Sequence, residues 1–241
     1  MGMPVTMEVV DATATEEMFS AVFAYFESID ERFSTYKEHS EISRINRGEI
    51  PLDAVSKDMR TVFRLSEQLR LNTDGYFDIQ RDGQIDPSGL VKGWAIFNAA
   101  EIVRQKGYKH FYVEAGGDFE VMGKNSAGQK WQVGIQSPFD SQEIIKVLSI
   151  SNRGVATSGT YVRGQHIYNP NAAQLPITEI VSITVIGPNI FSADCFATAA
   201  FAMGKKGIHF IENLRGYEAY MVDSDQIATF TSGFKRYISH A

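Results

Sequence analysis

Asp194 and Thr198 stand four residues apart in Ser192-Ala193-Asp194-Cys195-Phe196-Ala197-Thr198, a spacing that projects both from one face of a helix. A carboxylate and a hydroxyl so placed can share one cation. Mg2+ suits them, because it takes one or two carboxylates and completes its shell with carbonyls, waters and phosphate oxygens. The same pair also has a plain structural reading, with Asp194 complementing a helix dipole and Thr198 bonding back to a carbonyl. Spacing alone leaves both open.

Asp86-Pro87-Ser88-Gly89-Leu90-Val91-Lys92-Gly93-Trp94-Ala95 joins a turn to a helix start. The free N–H groups of such a start attract anions, and Lys92, about one turn in, can reach a phosphate from the same end. Asp-Pro-Ser before a helix is equally ordinary capping. Glu114-Ala115-Gly116-Gly117-Asp118 permits close backbone approach to a ligand, or only a tight turn, and no Walker A or G-x-G-x-x-G pattern strengthens it. The stretch from Thr157 to Pro170 is dense in hydroxyls and holds His166, the best-placed candidate base among five histidines. His39, His110, His209 and His240 lie in helical, strand-end or terminal contexts. Cys195 has no basic neighbour in sequence and reads as buried rather than nucleophilic.

Elements must bring these residues together. Val5 to Val10 alternates as a strand, and a helix follows whose Met18, Phe19, Val22, Phe23, Phe26, Ile29 and Phe33 form one apolar face. A second helix starts near Ser56 and stops before Asn72-Thr73-Asp74-Gly75; a third runs from Leu90 to Gln105, ended by Gly107. From His110 the period changes to two. Runs at 110–115, 119–123, 131–136, 146–151 and 180–186 predict strands. Ser192 is expected to cap an Ala-rich helix to about Met203, with a further helix to about Asn213 and a hairpin across Asp223-Ser224-Asp225. Helices and strands come in blocks, so the expected fold class is α+β, as one compact domain over 1–241 with a mixed or antiparallel sheet.

Composition excludes whole classes of function. With 44% hydrophobic and 22% charged residues the chain is globular rather than disordered. A net charge of -6 has the wrong sign for a protein living on nucleic acid or anionic lipid. One cysteine rules out an internal disulfide or a multi-cysteine zinc site. No basic-then-apolar leader and no run of about 18 apolar residues occurs, so a cytoplasmic chain without membrane insertion is expected.

Taken in order, these segments resemble the ApbE family of FAD:protein FMN transferases. The resemblance is carried by Met1-Gly2-Met3-Pro4, Phe33-Ser34-Thr35-Tyr36, Ser40 through Asn46, Gly75-Tyr76-Phe77-Asp78, Asp86 through Ala95, Ala115 through Asp118, Thr157 through Tyr161, His166-Ile167 with Pro170, and Ala193 through Thr198. It implies a T-fold-like domain with FAD in a cleft between sub-lobes and Mg2+ as cofactor. The implied reaction moves FMN from FAD to a Ser or Thr hydroxyl of an acceptor flavoprotein and releases AMP. Asp194, Thr198 and the carbonyl of Gly89 are then the expected metal ligands. Met1, Tyr36, Asn46, Tyr76, Phe77, Asp78, Asp86, Lys92 and Ile167 are the expected FAD contacts, Asn46 on the adenine side, and His166 is the expected base. Two departures from the family pattern stand out. Only seven residues separate Asp78 from Asp86, and His166-Ile167-Tyr168-Asn169-Pro170-Asn171-Ala172 lacks the carboxylate and glycine of His-Ile-Ile-Asp-Pro-x-Thr-Gly-like relatives. A FAD pyrophosphatase, with water in place of the acceptor, and a non-catalytic flavin-binding protein are the alternatives.

Overall fold

The computed structural model describes residues 2–160, 167–172 and 175–239. The first half holds β1 (Val5–Val9), α1 (Glu16–Phe33), α2 (Glu41–Asn46), α3 (Lys57–Asn72), a short hairpin of β2 (Gln80–Arg81) and β3 (Gln84–Ile85), and α4 (Ser88–Gln105). The second holds β4 (Phe111–Ala115), β5 (Asp118–Met122), β6 (Trp131–Gln136), β7 (Ile144–Ile150), β8 (Arg153–Gly159), β9 (Ile180–Gly187), α5 (Ile190–Ala202), α6 (Gly207–Glu212), β10 (Glu218–Asp223) and β11 (Ala228–Phe230). Seven strands make one antiparallel sheet in the order β1-β4-β5-β8-β9-β10-β11. The α+β expectation holds.

Three pairs of neighbouring strands in this sheet are separated in sequence by excursions that cover its two faces. Between β1 and β4 the chain makes α1 to α4, and between β9 and β10 it makes α5 and α6; the β6–β7 hairpin lies between β5 and β8. One apolar core joins the helices to the sheet and includes Met18, Val22, Ile96, Val113, Ile183 and Phe201. A second core joins the hairpin to the opposite face through Val121, Trp131, Val133, Leu148, Val155 and Phe234. The alternation along β5 follows: Phe119 and Val121 face the hairpin, while Asp118 and Glu120, two apart, face the helices.

Several boundaries differ from expectation for local reasons. Thr15 caps α1 by accepting from Met18 N–H, and Asn189, not Ser192, caps α5 by accepting from Ser192 N–H at 2.9 Å. Helix α5 therefore begins earlier and carries Asp194 past its first turn. Strand β8 is absent from the expectation because Arg153-Gly154-Val155-Ala156-Thr157-Ser158-Gly159 is small and Gly-flanked, a composition poor in strand signal. Its glycine has a packing cause: a Cβ at Gly154 would overlap the backbone of Asn189 and Ile190, so only Gly lets α5 start against β8. Gly116 and Gly117, at φ 60° and 89°, form the two-residue turn between Ala115 and Asp118, the left-handed pair that a tight hairpin demands.

Glu120 fixes the start of α5 from below. Its carboxylate accepts from Ile190 N–H at 2.6 Å, pairs with Arg104 of α4, and is buried, which raises its pKa despite that partner. The hydrogen bond and the fill of the site, more than the charge, carry its contribution. Glu120→Ala is therefore expected to cost about 3 kcal/mol, and Glu120→Gln, which keeps an acceptor, about 1 kcal/mol or less. Urea midpoints at unchanged slope measure both; equal losses would reverse that ranking. No helix of the described residues is long and apolar enough to cross a membrane.

Candidate active site

Helices α4 and α5 pack against each other at a point where one of them has no side chain. A Cβ built on Gly93 would lie 2.7 Å from Asp194 Cβ and 2.9 Å from its Oδ2. The bare backbone lets Gly93 N–H donate to Asp194 Oδ2 at 2.8 Å. That amide is the one a regular helix gives to the Gly89 carbonyl four residues earlier, and a carbonyl oxygen has a second lone pair for a further partner. Gly89 itself abuts Thr198, with a Cβ there 3.4 Å from Thr198 Cγ2 and 3.8 Å from Oγ1. Ser158 Oγ of β8 lies 3.5 Å from the Thr198 hydroxyl. One carboxylate, two hydroxyls and a helix backbone thus meet where α4, α5 and β8 converge.

Gly93→Ala sets two effects against each other. Alanine gains about 1 kcal/mol of helix propensity, while overpacking costs about 1–3 kcal/mol. Because the obstructing atoms include Asp194 Cβ and the Ile190 carbonyl, at 3.0 Å, the helices have to separate and overpacking wins. The expected result is a modest fall in melting temperature with a loss of turnover greater than tenfold; wild-type turnover in the variant would mean that Asp194 tolerates displacement.

Asp194 is fully enclosed, and burial raises its pKa against the opposing pull of Lys92. An ionisable group in such a place has a cost that structure alone does not explain. Lys92 reaches across from α4: its ammonium pairs with Asp118 and stands 3.4 Å from Asp194 Oδ1. Lys92 thus lies between two buried carboxylates and lines the same cleft as Ser88 and Gly89 at the start of α4. Asp118, from the first position of β5, also accepts from Thr157 N–H at 2.9 Å. Cys195, beside Asp194 but inside the core, has its thiol pushed up by burial, as expected of an inert cysteine.

These groups form the floor of a cleft of about 380 Å3. Tyr76, Phe77, Asp78, Asp86, Gly89, Lys92, Ile167, Asp194 and Thr198 all line it. Phe77 is buried behind Gly89, and Asp86 caps α4 by accepting from Ser88 N–H at 3.0 Å while facing the same space. Tyr36 and Asn46 are not among the lining residues. Tyr36 is 93% exposed, and Asn46 spends its amide on both backbone groups of Ile85, donating to the carbonyl at 2.9 Å and accepting from the N–H at 2.8 Å. Asn46 therefore ties the β2–β3 hairpin to α2. Met1 and His166 lie outside the described residues, although Gly159 and Ile167 on either side of 160–166 both line the cleft. Sequence reasoning missed Arg81, Ser158, Tyr168 and the rim of Gly134, Gln136 and Ile144. Of these, only the hydroxyl-rich Thr157–Gly159 stretch carried a signal.

The chain resembles known proteins in both sequence and fold. The sequence model described as the ApbE family matches residues 1–82 and 79–221, two stretches that meet in the β2–β3 hairpin. The FAD:protein FMN transferase of Haemophilus influenzae is 26% identical over 295 aligned positions, covering 93% of this chain and 84% of that protein. That of Escherichia coli K12 is 23% identical, covering 92% and 82%. Among solved structures, flavin transferase ApbE from Vibrio cholerae superimposes with a TM-score of 0.84 at 22% identity, over 98% of this chain and 96% of that one. The ApbE protein of Thermotoga maritima gives 0.83 at 21% identity, over 99% and 100%. The family match spans most of the chain and the fold agrees from end to end: the chain belongs to the ApbE family.

Proposed function

We propose that this protein transfers FMN from FAD to a Ser or Thr hydroxyl of an acceptor flavoprotein, with Mg2+ held at Asp194, Thr198 and the Gly89 carbonyl. The relatives named FAD:protein FMN transferase support the reaction. The observation that carries it in this chain is a buried carboxylate, Asp194, opening with Thr198 and Lys92 onto the floor of a cleft.

The donor set fits a hard divalent ion. One carboxylate, one hydroxyl and one backbone carbonyl are all oxygen donors, the kind that Mg2+ takes with substrate and water completing its shell. Charge supports the same reading. Among the described residues Asp78, Asp86, Asp118 and Asp194 line the cleft against Arg81 and Lys92, so a diphosphate meets several carboxylates there, and a cation resolves the repulsion. When bound, Mg2+ supplies Lewis-acid polarisation of the diphosphate oxygens.

The remaining work belongs to the chain. The acceptor O–H attacks the FMN-side phosphorus, the bond from that phosphorus to the bridging oxygen breaks, AMP leaves, and the acceptor proton passes to His166. Lys92, held by Asp118, presents a fixed ammonium beside Asp194 and stabilises charge on the diphosphate without reorganising. Tyr76 and Phe77 offer aromatic surface to the flavin. Incubation with FAD and Mg2+, with and without an acceptor, followed by AMP release and by the acceptor's mass gain of one FMN, tests the reading. AMP without a mass gain would make the enzyme a pyrophosphatase, and flavin binding without AMP would leave a flavin carrier.

A further inference from the structure

One wall of the cleft is built from very little. Residues 74–81 carry Tyr76, Phe77, Asp78, Ile79 and Arg81 into the cleft, yet the hairpin that continues them has strands of only two residues each, too short to hold its own position. Side chains from elsewhere anchor it. Asn46 holds its far end at Ile85, as described above. From the opposite side comes Tyr168, whose hydroxyl donates to the carbonyls of Gln80 at 3.0 Å and Asp78 at 3.3 Å. Its ring bears the Arg81 guanidinium, with Cζ 4.7 Å from the ring centroid. Asn171 Nδ2 adds a bond to the Asp74 carbonyl at 3.0 Å.

We propose that Tyr168 is a positioning residue for FAD: it latches the 78–81 wall across the cleft and seats Arg81 at the edge, fixing the width available to the ligand. The proposal rests on the FAD reading above. Tyr168 and Arg81 both line the cleft, so ligand and latch share one space. Arg81 has Asp82 as an ion partner at 3.5 Å, 73% exposed, a pairing too solvated to direct the guanidinium by itself. The ring face directs it instead. Phe77 and Ile79 root the wall in the core, and because the carbonyls bonded by Tyr168 are backbone groups of the wall, the hydroxyl ties its outer part directly to residues 167–172.

The test is Tyr168→Phe, which removes the hydroxyl and keeps the ring, with Arg81→Gln as an independent variant on the surface end of the latch. FAD dissociation constants from flavin fluorescence and steady-state AMP release, both with Mg2+, are the readouts. Tyr168→Phe is expected to raise Kd and KM for FAD about three- to tenfold, the range of one lost hydrogen bond, with kcat within about twofold. Arg81→Gln is expected to move Kd in the same direction. The double variant should fall short of the summed effects, because both residues act through one contact. Melting temperature should stay nearly constant, since both freed carbonyls can turn to water. A Tyr168→Phe protein with wild-type Kd, or one that loses kcat at constant Kd, overturns the latch. A wild-type protein that neither binds FAD nor releases AMP overturns the FAD reading and the latch with it.

Discussion

Asp194→Asn is expected to abolish Mg2+-dependent AMP release, by about 10^3-fold or more, in a protein that folds as well as the parent. The substitution is nearly isosteric. An amide oxygen can still accept from Gly93 N–H, where the carboxylate accepts at 2.8 Å, and Lys92 keeps its pairing with Asp118. What disappears is the negative charge available to the cation. A metal site contributes several kcal/mol of transition-state stabilisation, and each 1.36 kcal/mol is a factor of ten in rate. Stability should move the other way. Burial raises the Asp194 pKa, which shows that enclosure costs its charged form more than Lys92 returns, so a neutral side chain of the same shape relieves that cost. Thermal melts separate the two effects. Wild-type protein should gain melting temperature on addition of Mg2+, as any ligand of the native state requires, whereas Asp194→Asn should melt at or above the metal-free parent and ignore Mg2+. A variant that keeps most of its turnover removes Asp194 from the metal. One that melts well below the parent makes it a structural residue instead.

The same residue shows how far a sequence can be read. Asp194 and Thr198 are legible as a pair because both lie on one helix, where spacing and geometry are the same statement. The choice between metal ligation and dipole complementation is not legible, because it depends on burial. Asn189 capping moves Asp194 beyond the first turn, and α4 and β8 then enclose it. Gly93 and Gly154 each owe their identity to an approach between elements distant in the chain, and a glycine in a helix or strand announces only that something is close. Tyr168 and Asp78, 90 residues apart and joined through a backbone carbonyl, leave no local pattern at all. The long helices are legible because their apolar stripes are periodic, as in Met18, Val22, Phe26, Ile29 and Phe33 of α1, whereas the six residues of α2 are too few to show a period. Strand β8 is not legible, since small buried residues lack that contrast. The hold of Asn46 on Ile85, 39 residues away, leaves no local pattern either.

His166→Ala is expected to cut FMN transfer by about 10^2–10^4-fold, the range for a lost general base, while leaving the affinity for FAD within about twofold. The competing base within the cleft is Asp118, and its surroundings argue against it. One oxygen accepts from Thr157 N–H at 2.9 Å, the other pairs with Lys92, and the residue is 1% exposed. Both oxygens are thus already engaged by donors of the chain itself. His166 falls between Gly159 and Ile167, both of which line the cleft, and the other four histidines have no such neighbours in sequence. Asn169, which stands where the family pattern has a carboxylate, accepts from Asn171 N–H at 2.9 Å and so closes its own turn. The consequences for the two reactions differ. Transfer to an acceptor hydroxyl requires removal of one proton and should carry the full loss. Binding of FAD requires none, because the diphosphate meets Lys92 and the metal ligands whether or not an imidazole is present. Single-turnover transfer to an acceptor, measured beside FAD affinity over a range of pH, distinguishes the cases. The wild-type rate should rise with pH as the base loses its proton, and the variant should lack that limb. If the two profiles superimpose, proton removal belongs to another group; if FAD affinity collapses together with transfer, His166 is a binding residue and not the base.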